Sequence, residues 1–305
     1  MLLTALAALA MVSTPEKLFE GIDPAWSPDG TYVACLTPFG REIQIYTLDG
    51  KLVSTIESKR GEKTLEIDSF AWFPNGEEML ISEQETNARI GGDEFVRSQI
   101  MRAPLEAGKF TVATTGELGE SKMNSTTHVF KSLRFVAGTT EAYTVRTQFL
   151  PVGSRETAET APTAVDPGNA SINAGPLFEN LREFHILLAP AMQIVLSWDK
   201  LDVRSADLDV AFTFKMDFVG GFDVSTKASL LCWTGNNSIH FRKLKSSMII
   251  EYHMPREVYG LGRVSLSPDA KRVVFSAYEE TDILRPENDK SSVYIMDVPE
   301  EMRKD

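Results

Sequence analysis

Short runs of alternating or continuous apolar residues recur along the chain, each about as long as a β-strand. Three clear examples are residues 32–36, 78–82 and 272–277. Runs of four to eight residues with this pattern, bounded by turn residues, are typical of β-strands. The pattern therefore predicts a protein built from many short antiparallel strands.

Each of these three runs follows a version of the same turn sequence. Proline fixes φ, Asp or Asn hydrogen-bonds to nearby backbone, and glycine accepts a positive φ, so the motif predicts a tight turn between two strands. We interpret it as structural, with the tryptophans packed between sheets. The motif residues are Trp26, Ser27, Pro28, Asp29 and Gly30, then Trp72, Pro74, Asn75 and Gly76, then Ser267, Pro268 and Asp269.

Further strand-like runs follow each copy. Third runs occur at 42–47, 98–103 and 292–297, with an eroded copy at 238–243, and fourth runs occur at 52–56 and 110–114. Four antiparallel strands form a blade, and blades repeated around an axis form a β-propeller. Trp26 and Trp72 are 46 residues apart, and the 194 residues from Trp72 to Leu266 make four intervals of 48.5. The spacing predicts six blades, with unseen units starting near 120, 169 and 217.

The turn motif and the strands after it resemble the PD40 (WD40-like) repeats of the TolB-like propeller superfamily. The first copy, residues 26–30, matches closely, and the copies at 72–76 and 266–270 are degenerate. The resemblance covers 24–115 and 258–298 and concerns the propeller part only. It implies the fold and does not carry over the function of TolB.

The last unit, 258–298, shows three strands before a tail at 299–305, so another segment must complete its blade. Residues 11–14 resemble 52–55, the fourth strand of the first blade, and are the predicted donor. The apolar run 2–12 is too short for a stable membrane span, which needs about 20 residues. It also fits a signal-peptide core. Residues 1–14 are thus either a closing strand or a signal peptide, and a periplasmic or exported location and a cytoplasmic one both stay open.

The middle of the chain gives weaker signals. Residues 151–180 are rich in Pro, Gly, Ala, Thr and Asn and predict a loop-rich insertion. Residues 181–188 and 192–198 predict a strand pair, 207–218 predict a strand, and 230–233 predict the buried second strand of the fifth blade. The prediction is one all-β domain over 15–298.

Composition narrows the partners. The 305 residues carry a formal net charge of −12, so nucleic acid and anionic membrane surfaces are unfavourable partners. Cys35 and Cys232 lie in apolar runs and are predicted to be buried free thiols.

No familiar catalytic motif occurs in the sequence. It lacks a phosphate loop, a dinucleotide turn, a nucleophile elbow and a zinc-protease helix, so we predict no cofactor. The four histidines, His128, His185, His240 and His253, are scattered. A metal held by histidines in the central channel is the alternative.

Two predicted connections between second and third strands, 83–96 and 278–290, are long and charged and would share one face of the ring. Loops on a rigid scaffold often carry binding. The predicted binding residues are Glu83, Glu85, Arg89, Asp93, Glu94, Glu279, Glu280, Asp282, Arg285, Glu287 and Asp289. This acidic rim would engage a basic partner or a cation.

The sequence therefore favours a non-enzymatic scaffold, monomeric or weakly oligomeric, that binds a protein or peptide. The alternative is a channel-site enzyme, a metal-dependent lyase or hydrolase acting on sugars or lactones. A regulatory propeller acting on a separate peptidase is a third possibility.

Overall fold

The computed structural model describes most of the chain. The described residues are 14–38, 40–60, 63–87, 94–105, 121–126, 128–136, 139–148, 160–165, 181–188, 191–197, 199–205, 210–215, 217–279 and 290–303.

The strands form six antiparallel sheets that follow one another along the chain as the blades of a propeller. This confirms the predicted fold class and the blade count. Blades 1 and 2 contain β2 (Ile22–Trp26), β3 (Tyr32–Leu36), β4 (Glu42–Thr47) and β5 (Leu52–Glu57), then β8 (Glu66–Trp72), β9 (Glu78–Asn87), β10 (Glu94–Pro104) and β11 (Ser121–Ser125). A two-stranded ribbon, β6 (Lys59–Arg60) and β7 (Lys63–Thr64), connects them.

Blades 3, 4 and 5 come from the part of the chain with the weakest repeats. Blade 3 contains β12 (His128–Phe135), β13 (Ala142–Gln148) and β14 (Thr160–Val165) among the described residues. Blade 4 contains β15 (Glu183–Leu188), β16 (Ala191–Leu196), β17 (Lys200–Ser205) and β18 (Val210–Lys215). Blade 5 contains β19 (Gly221–Ser225), β20 (Leu230–Thr234), β21 (Ser238–Lys243) and β22 (Ile249–His253).

Blade 6 joins the two ends of the described chain. Its strands are β23 (Val258–Tyr259), β24 (Val264–Leu266), β25 (Arg272–Glu279), β26 (Lys290–Asp297) and the N-terminal β1 (Glu16–Glu20). Strand β1 pairs with β26, Glu16 opposite Ile295 and Glu20 opposite Ser292, so an N-terminal strand does close the last blade. The closing residues lie after the predicted 11–14, and residues 1–13 are outside the described part.

Six hydrophobic clusters form the core, one at each junction between neighbouring blades. Trp72 of blade 2, for example, packs against Ile43 and Ile45 of blade 1. At the closing junction, Trp26 is 6% exposed and its Nε1–H donates to the carbonyl of Ser265 in blade 6 at 3.1 Å. Because each sheet buries both faces against its neighbours, the ring gains its stability from contacts between blades.

The repeated turn motif links the first and second strands of blades 1, 2 and 6. In blade 1 the Ser27 hydroxyl donates to Asp29 Oδ1 at 2.5 Å, and Asp29 Oδ1 also accepts from the Thr31 amide at 3.0 Å. Gly30 has a φ of 74°. Ser267 and Asp269 repeat the hydroxyl-to-carboxylate bond in blade 6 at 2.6 Å.

Three segments differ from their sequence predictions. Strand β14 lies inside 151–180, which was predicted to be loop. All six of its residues, among them small Ala, Thr and Pro residues, pair with residues of β13. The predicted fourth strand of blade 2, 110–114, is outside the described residues, and β11 occupies that position. The tail carries a short helix, α1 (Glu300–Arg303), that buries Met302 against blades 5 and 6.

The direction of the strands defines two faces of the ring. Every innermost strand runs from one face, here called the entry face, to the other, here called the turn face. The motif turns after the innermost strands lie on the turn face. The second strand returns, so the connections between second and third strands lie on the entry face. Within the described ranges no helix is long and apolar enough to span a membrane.

Candidate functional site at the channel mouth

The innermost strands surround a polar cavity of about 450 Å³ at the entry face. All six blades contribute to its wall, so the cavity is the mouth of the central channel. The lining residues are, in blade order, Asp23; Asp68 and Ser69; Lys131, Ser132, Val145, Thr147 and Thr160; Leu181, Arg182 and Glu183; Gly220; and Arg263. We refer to this cavity as the channel mouth.

Three adjacent blades carry an irregularity at the same level of the channel mouth. The pairing register shifts around Asp23 in β2, around Asp68 in β8 and around Ser132 in β12. Asp23 and Ser132 also have positive φ values, 51° and 53°. Such bulges and strained residues cost free energy and recur next to functional sites, where they redirect a side chain.

The two aspartates at these bulges have no hydrogen-bond partner among the described residues. Asp68 Oδ2 is fully buried and unpartnered. Burial raises the pKa of Asp68 to about 7. The nearby Lys131 ammonium opposes this shift, and the Glu66 carboxylate adds to it. Burial also raises the pKa of Asp23, opposed mainly by Arg263. A buried carboxylate oxygen without a partner is costly, so Asp68 calls for a compensating group.

Cations occupy other sectors of the wall. Arg182 donates to the carbonyl of Val219 at 2.5 Å, and burial lowers its pKa. Arg263 reaches across the channel to the carbonyl of Leu133 in blade 3 at 3.3 Å, and burial lowers its pKa too. Lys131 is exposed at the rim of the cavity. The mouth therefore combines positive and negative side chains in one open cavity.

Below the mouth, a buried ion-pair network ties four blades together. Arg134 is 8% exposed and its Nη2 lies 2.5 Å from Glu183 Oε2, while its Nη1 lies 3.3 Å from Asp223 Oδ1. Arg134 also donates to the carbonyl of Phe222. Asp223 Oδ2 in turn accepts from the Leu266 amide of blade 6 at 2.7 Å. Glu183 also lines the mouth, so this network is continuous with the wall of the cavity.

Glycine is required where blades 5 and 6 meet at the mouth. A Cβ added to Gly220 would lie 1.8 Å from the carbonyl oxygen of Leu261 and 2.7 Å from Thr234 Oγ1. Thr234 uses that hydroxyl to bridge to the Gly262 carbonyl at 2.7 Å. Close backbone approach at this point leaves no room for a larger residue.

The histidines that could have held a channel metal lie apart in the fold. His185, on the innermost strand β15, is buried; burial and the nearby Arg134 and Arg263 lower its pKa to about 3, so it is neutral. His240 lies on β21, stacked on Trp233. Within the described part of the chain, no three His, Cys, Asp or Glu side chains are placed to hold a metal ion. Both cysteines are buried and free.

The structure places two residues of the predicted acidic rim inside a strand and not in a loop. Glu83 and Glu85 lie inside β9 and are 1% and 7% exposed, so they are not loop residues. Glu83 accepts hydrogen bonds from Ser58 and Gln99, and Glu85 pairs with Arg97 at 3.0 Å. The prediction failed because β9 and β10 extend further than the apolar pattern indicated, and alternation turns both glutamates inward.

The rest of the predicted rim is partly described. Glu279 ends β25, pairs with Lys17 at 2.5 Å and accepts from the Tyr294 hydroxyl, so it supports the closing strand. Glu94 begins β10. The remaining predicted residues, Arg89, Asp93, Glu280, Asp282, Arg285, Glu287 and Asp289, lie outside the described residues.

The channel-mouth residues were not predicted, although the sequence contains a trace of them. The pair Ile22 and Asp23 precedes Trp26, and the pair Ile67 and Asp68 precedes Trp72. The repeated Ile-Asp pair marks the start of an innermost strand. Asp23 lies three residues before Trp26 and Asp68 lies four residues before Trp72, so the spacing differs by one residue and hides the repeat. The cations of blades 3, 4 and 6 have no such shared pattern.

Comparison with known proteins supports the fold. No protein-family model and no curated protein sequence matches the chain. Solved structures that match include luciferin-regenerating enzyme (TM-score 0.60, 9% identity, 92% of each chain covered). A second is the Cps50 (Swd1) β-propeller domain of Myceliophteria thermophila (TM-score 0.54, 10% identity, 93% of this chain and 98% of that one). A third is a chain of the Mitotic Checkpoint Complex (TM-score 0.56, 12% identity, 92% and 91%). At these identities the similarity is one of fold.

Proposed function

We propose that the protein is a β-propeller scaffold that binds a protein or peptide partner on its entry face. The observation that carries this proposal is a pair of extended β-hairpins on that face. One belongs to blade 2 and the other to blade 6, the two blades that flank blade 1. A surface with raised walls on either side of one blade forms a cleft that suits an extended segment of a partner.

The lengths of the strands give the height of the walls. In blade 2, Gln84 pairs with Glu66 at the start of the innermost strand, and β9 continues three residues further to Asn87. At about 3.3 Å per residue this raises the hairpin by about 10 Å. In blade 6, β25 continues past the pairing of Phe275 with Val264 to Glu279, and the short strand β23 pairs with its last two residues.

A second cavity lies beside the blade 2 wall, at the junction of blades 1 and 2. It has a volume of about 520 Å³ and is lined by residues of blades 1 and 2, among them Pro38, Arg41, Gln84 and Thr86. It shares Asp23 and Asp68 with the channel mouth. The surface beside the blade 2 hairpin is therefore concave and presents polar side chains such as Arg41 and Gln84.

The chemistry of the proposed partner follows from charge. The predicted rim residues beyond the described strands are mostly acidic, and the whole chain has a net charge of −12. Such a field accelerates encounter with a cationic partner and repels an anionic one. We therefore propose a partner with a basic segment. The structural similarity to a chain of the Mitotic Checkpoint Complex supports a protein partner in general.

Site-specific photocrosslinking in the native source tests this proposal. A photoreactive residue at Thr86 or Tyr278, both exposed on the entry face, should crosslink a partner. The same residue at Asn75 or Lys271, exposed on the turn face, is the matched control. Reversal of charge by Asp282→Lys with Glu287→Lys should abolish the crosslink, whereas Glu77→Lys should not. Equal crosslinking from both faces, or none from either, would overturn the proposal.

The channel-site enzyme is a second candidate because of Asp68. A carboxyl group with a pKa of about 7 is suited to general acid–base catalysis at neutral pH. Hydrolysis of lactones and sugar esters by the purified protein, lost in Asp68→Asn, would favour this function. No turnover of these substrates, or equal turnover by the variant, would remove it.

A further inference from the structure

Two side chains in the wall of the channel mouth contain a buried polar atom without a hydrogen-bond partner among the described residues. They are Asp68 of blade 2, through Oδ2, and Ser132 of the adjacent blade 3, through Oγ. Both residues lie at register shifts of the innermost strands, and each is only half-buried as a whole while it lines the cavity. Because buried polar atoms in folded proteins are nearly always paired, the wall has hydrogen-bonding capacity that the fold leaves unused.

The charged side chains of the wall balance one another. Three are carboxylates and three are cations: Asp23, Asp68 and Glu183, and Lys131, Arg182 and Arg263. The Lys131 ammonium opposes the rise in the pKa of Asp68, and the Arg263 guanidinium opposes that in the pKa of Asp23. The adjoining ion-pair network adds one arginine and one aspartate, so the balance is kept. Neither sign is in excess, and a ligand with a net charge would bring an uncompensated charge into the cavity.

The groups that remain for a ligand include both donors and acceptors. Arg182 and Arg263 already donate to backbone carbonyls. The Asp68 carboxyl, the Ser132 hydroxyl and the exposed Lys131 ammonium line the same cavity. A carboxylate accepts hydrogen bonds, an ammonium donates them, and a hydroxyl does both. A hydroxyl group on a ligand is therefore able to donate to Asp68 and to accept from Lys131 at once, without adding a charge.

We propose that the channel mouth binds a neutral polyhydroxylated molecule of the sugar class. One hydroxyl of the ligand lies between Asp68 and Lys131, and another reaches Ser132. The C–H face of the sugar ring packs on Val145 and Leu181, apolar residues that line the same cavity. The volume of about 450 Å³ falls within the range of small-molecule sites, about 300–1,000 Å³. This inference is independent of the partner proposed for the entry face, and it concerns the binding of an intact ligand, not its hydrolysis.

Calorimetric titration of the purified protein tests the inference. The neutral probes are D-glucose, D-galactose and D-mannose. Each has two charged analogues of nearly the same shape: the uronate, which carries a carboxylate, and the 2-amino-2-deoxy sugar, which carries an ammonium. At least one neutral sugar should bind. Both charged analogues of that sugar should bind about tenfold more weakly or worse, because each adds a charge that the balanced wall does not compensate.

Variants locate the binding. Asp68→Ala removes the acceptor and Ser132→Ala removes the hydroxyl, and each should weaken binding of the neutral sugar about tenfold, as expected for the loss of one hydrogen bond. The fold loses no hydrogen bond of the two buried atoms, because neither has a partner among the described residues. Asp49→Ala and Ser246→Ala, at exposed positions on the turn face, are the matched controls and should bind as the wild type does. Circular dichroism of each variant confirms that it is folded.

Three results would overturn the inference: none of the neutral sugars binds, a charged analogue binds as tightly as its neutral sugar, or both channel variants bind as the wild type does. None of these results depends on the crosslinking experiment. A failed titration with a positive crosslink would leave the scaffold proposal intact, and the reverse outcome would leave the ligand site intact.

Discussion

The innermost strand of blade 1 has an aspartate near each end, and the two have opposite surroundings. Asp29, on the turn face, accepts hydrogen bonds from Ser27 and Thr31. Burial opposes ionisation there, but these bonds outweigh it and lower the pKa of Asp29. Asp23, on the entry face, lies at a bulge, and burial raises its pKa.

This difference separates aspartates whose hydrogen bonds stabilise the ring from aspartates that have no hydrogen-bond partner among the described residues. The partners of Asp29 are two residues away in the chain, so the turn satisfies itself as it forms. The charged groups around Asp23 come from other blades, and Asp23 has no hydrogen-bond partner among the residues that the structure describes. We expect carboxylates of the first kind to stabilise the fold when ionised and those of the second kind to destabilise it.

The largest effect should come from the buried ion-pair network beside the channel mouth. Arg134→Met would leave Glu183 and Asp223 buried without their partner, and breaking a buried ion pair in this way costs about 3–5 kcal/mol. Urea denaturation measures the loss. Arg256→Met, at an exposed position, should change stability by less than about 0.5 kcal/mol. A similar small loss for Arg134→Met would mean that the network does not hold the blades together.

Asp68→Asn should change the stability in the opposite direction and stabilise the folded protein at pH 8. The pKa of Asp68 is about 7 in the folded protein against an ordinary 3.8, so the folded state binds the proton more tightly. Stability is then highest below about pH 4 and falls as the pH rises towards 7, by at most about 4 kcal/mol. Because Asn cannot ionise, the variant should be about 2–4 kcal/mol more stable than the wild type at pH 8. Denaturation curves at pH 4 and pH 8 measure this, and a variant no more stable at pH 8 would contradict it.

Asp269→Asn tests the turn face with the matched substitution. The Ser267 hydroxyl is the main cause of the lowered pKa of Asp269. The ionised carboxylate therefore stabilises the folded state above the ordinary pKa of 3.8, and this stabilisation is lost as the pH falls through the pKa of the folded protein. The variant should lose about 1 kcal/mol at pH 7, typical of a hydrogen bond to a charged group near the surface. Denaturation at pH 7 and pH 3 should show the loss shrinking at the lower pH; a gain at pH 7 would erase the contrast with Asp68.

The smallest effect concerns the turn backbone. Ala270 has a φ of 54° where the other two copies have Gly30 at 74° and Gly76 at 72°. An L-residue in this region costs about 1–2 kcal/mol, and part of that cost is offset by the greater flexibility of glycine when unfolded. Ala270→Gly should therefore stabilise the protein by about 0.5–1 kcal/mol, as measured by thermal unfolding. Destabilisation would show that the third copy has adapted to alanine.

Much of the ring could be predicted from the sequence because its signals are local. The motif turns, the alternation of short strands and the spacing of the tryptophans specify a six-bladed propeller, and the buried strand β20 was predicted at residues 230–233. The hairpin of β9 and β10 was predicted too short, which put Glu83 and Glu85 in a loop. Their burial depends on partners in other strands, Ser58, Gln99 and Arg97, that no local pattern indicates.

The channel mouth shows what the tertiary structure alone decided. Each blade contributes one or a few residues, and those of blades 3 to 5 come from the region without a visible repeat. Closing the ring places Asp23, Lys131 and Arg182 around one cavity although they are distant in sequence. Residues whose partners lie within a turn can be found from the sequence because propensity and local hydrogen bonds are encoded there. The channel charges acquire their environment only when six sheets meet, because their burial and their charged neighbours from other blades exist only in the closed ring.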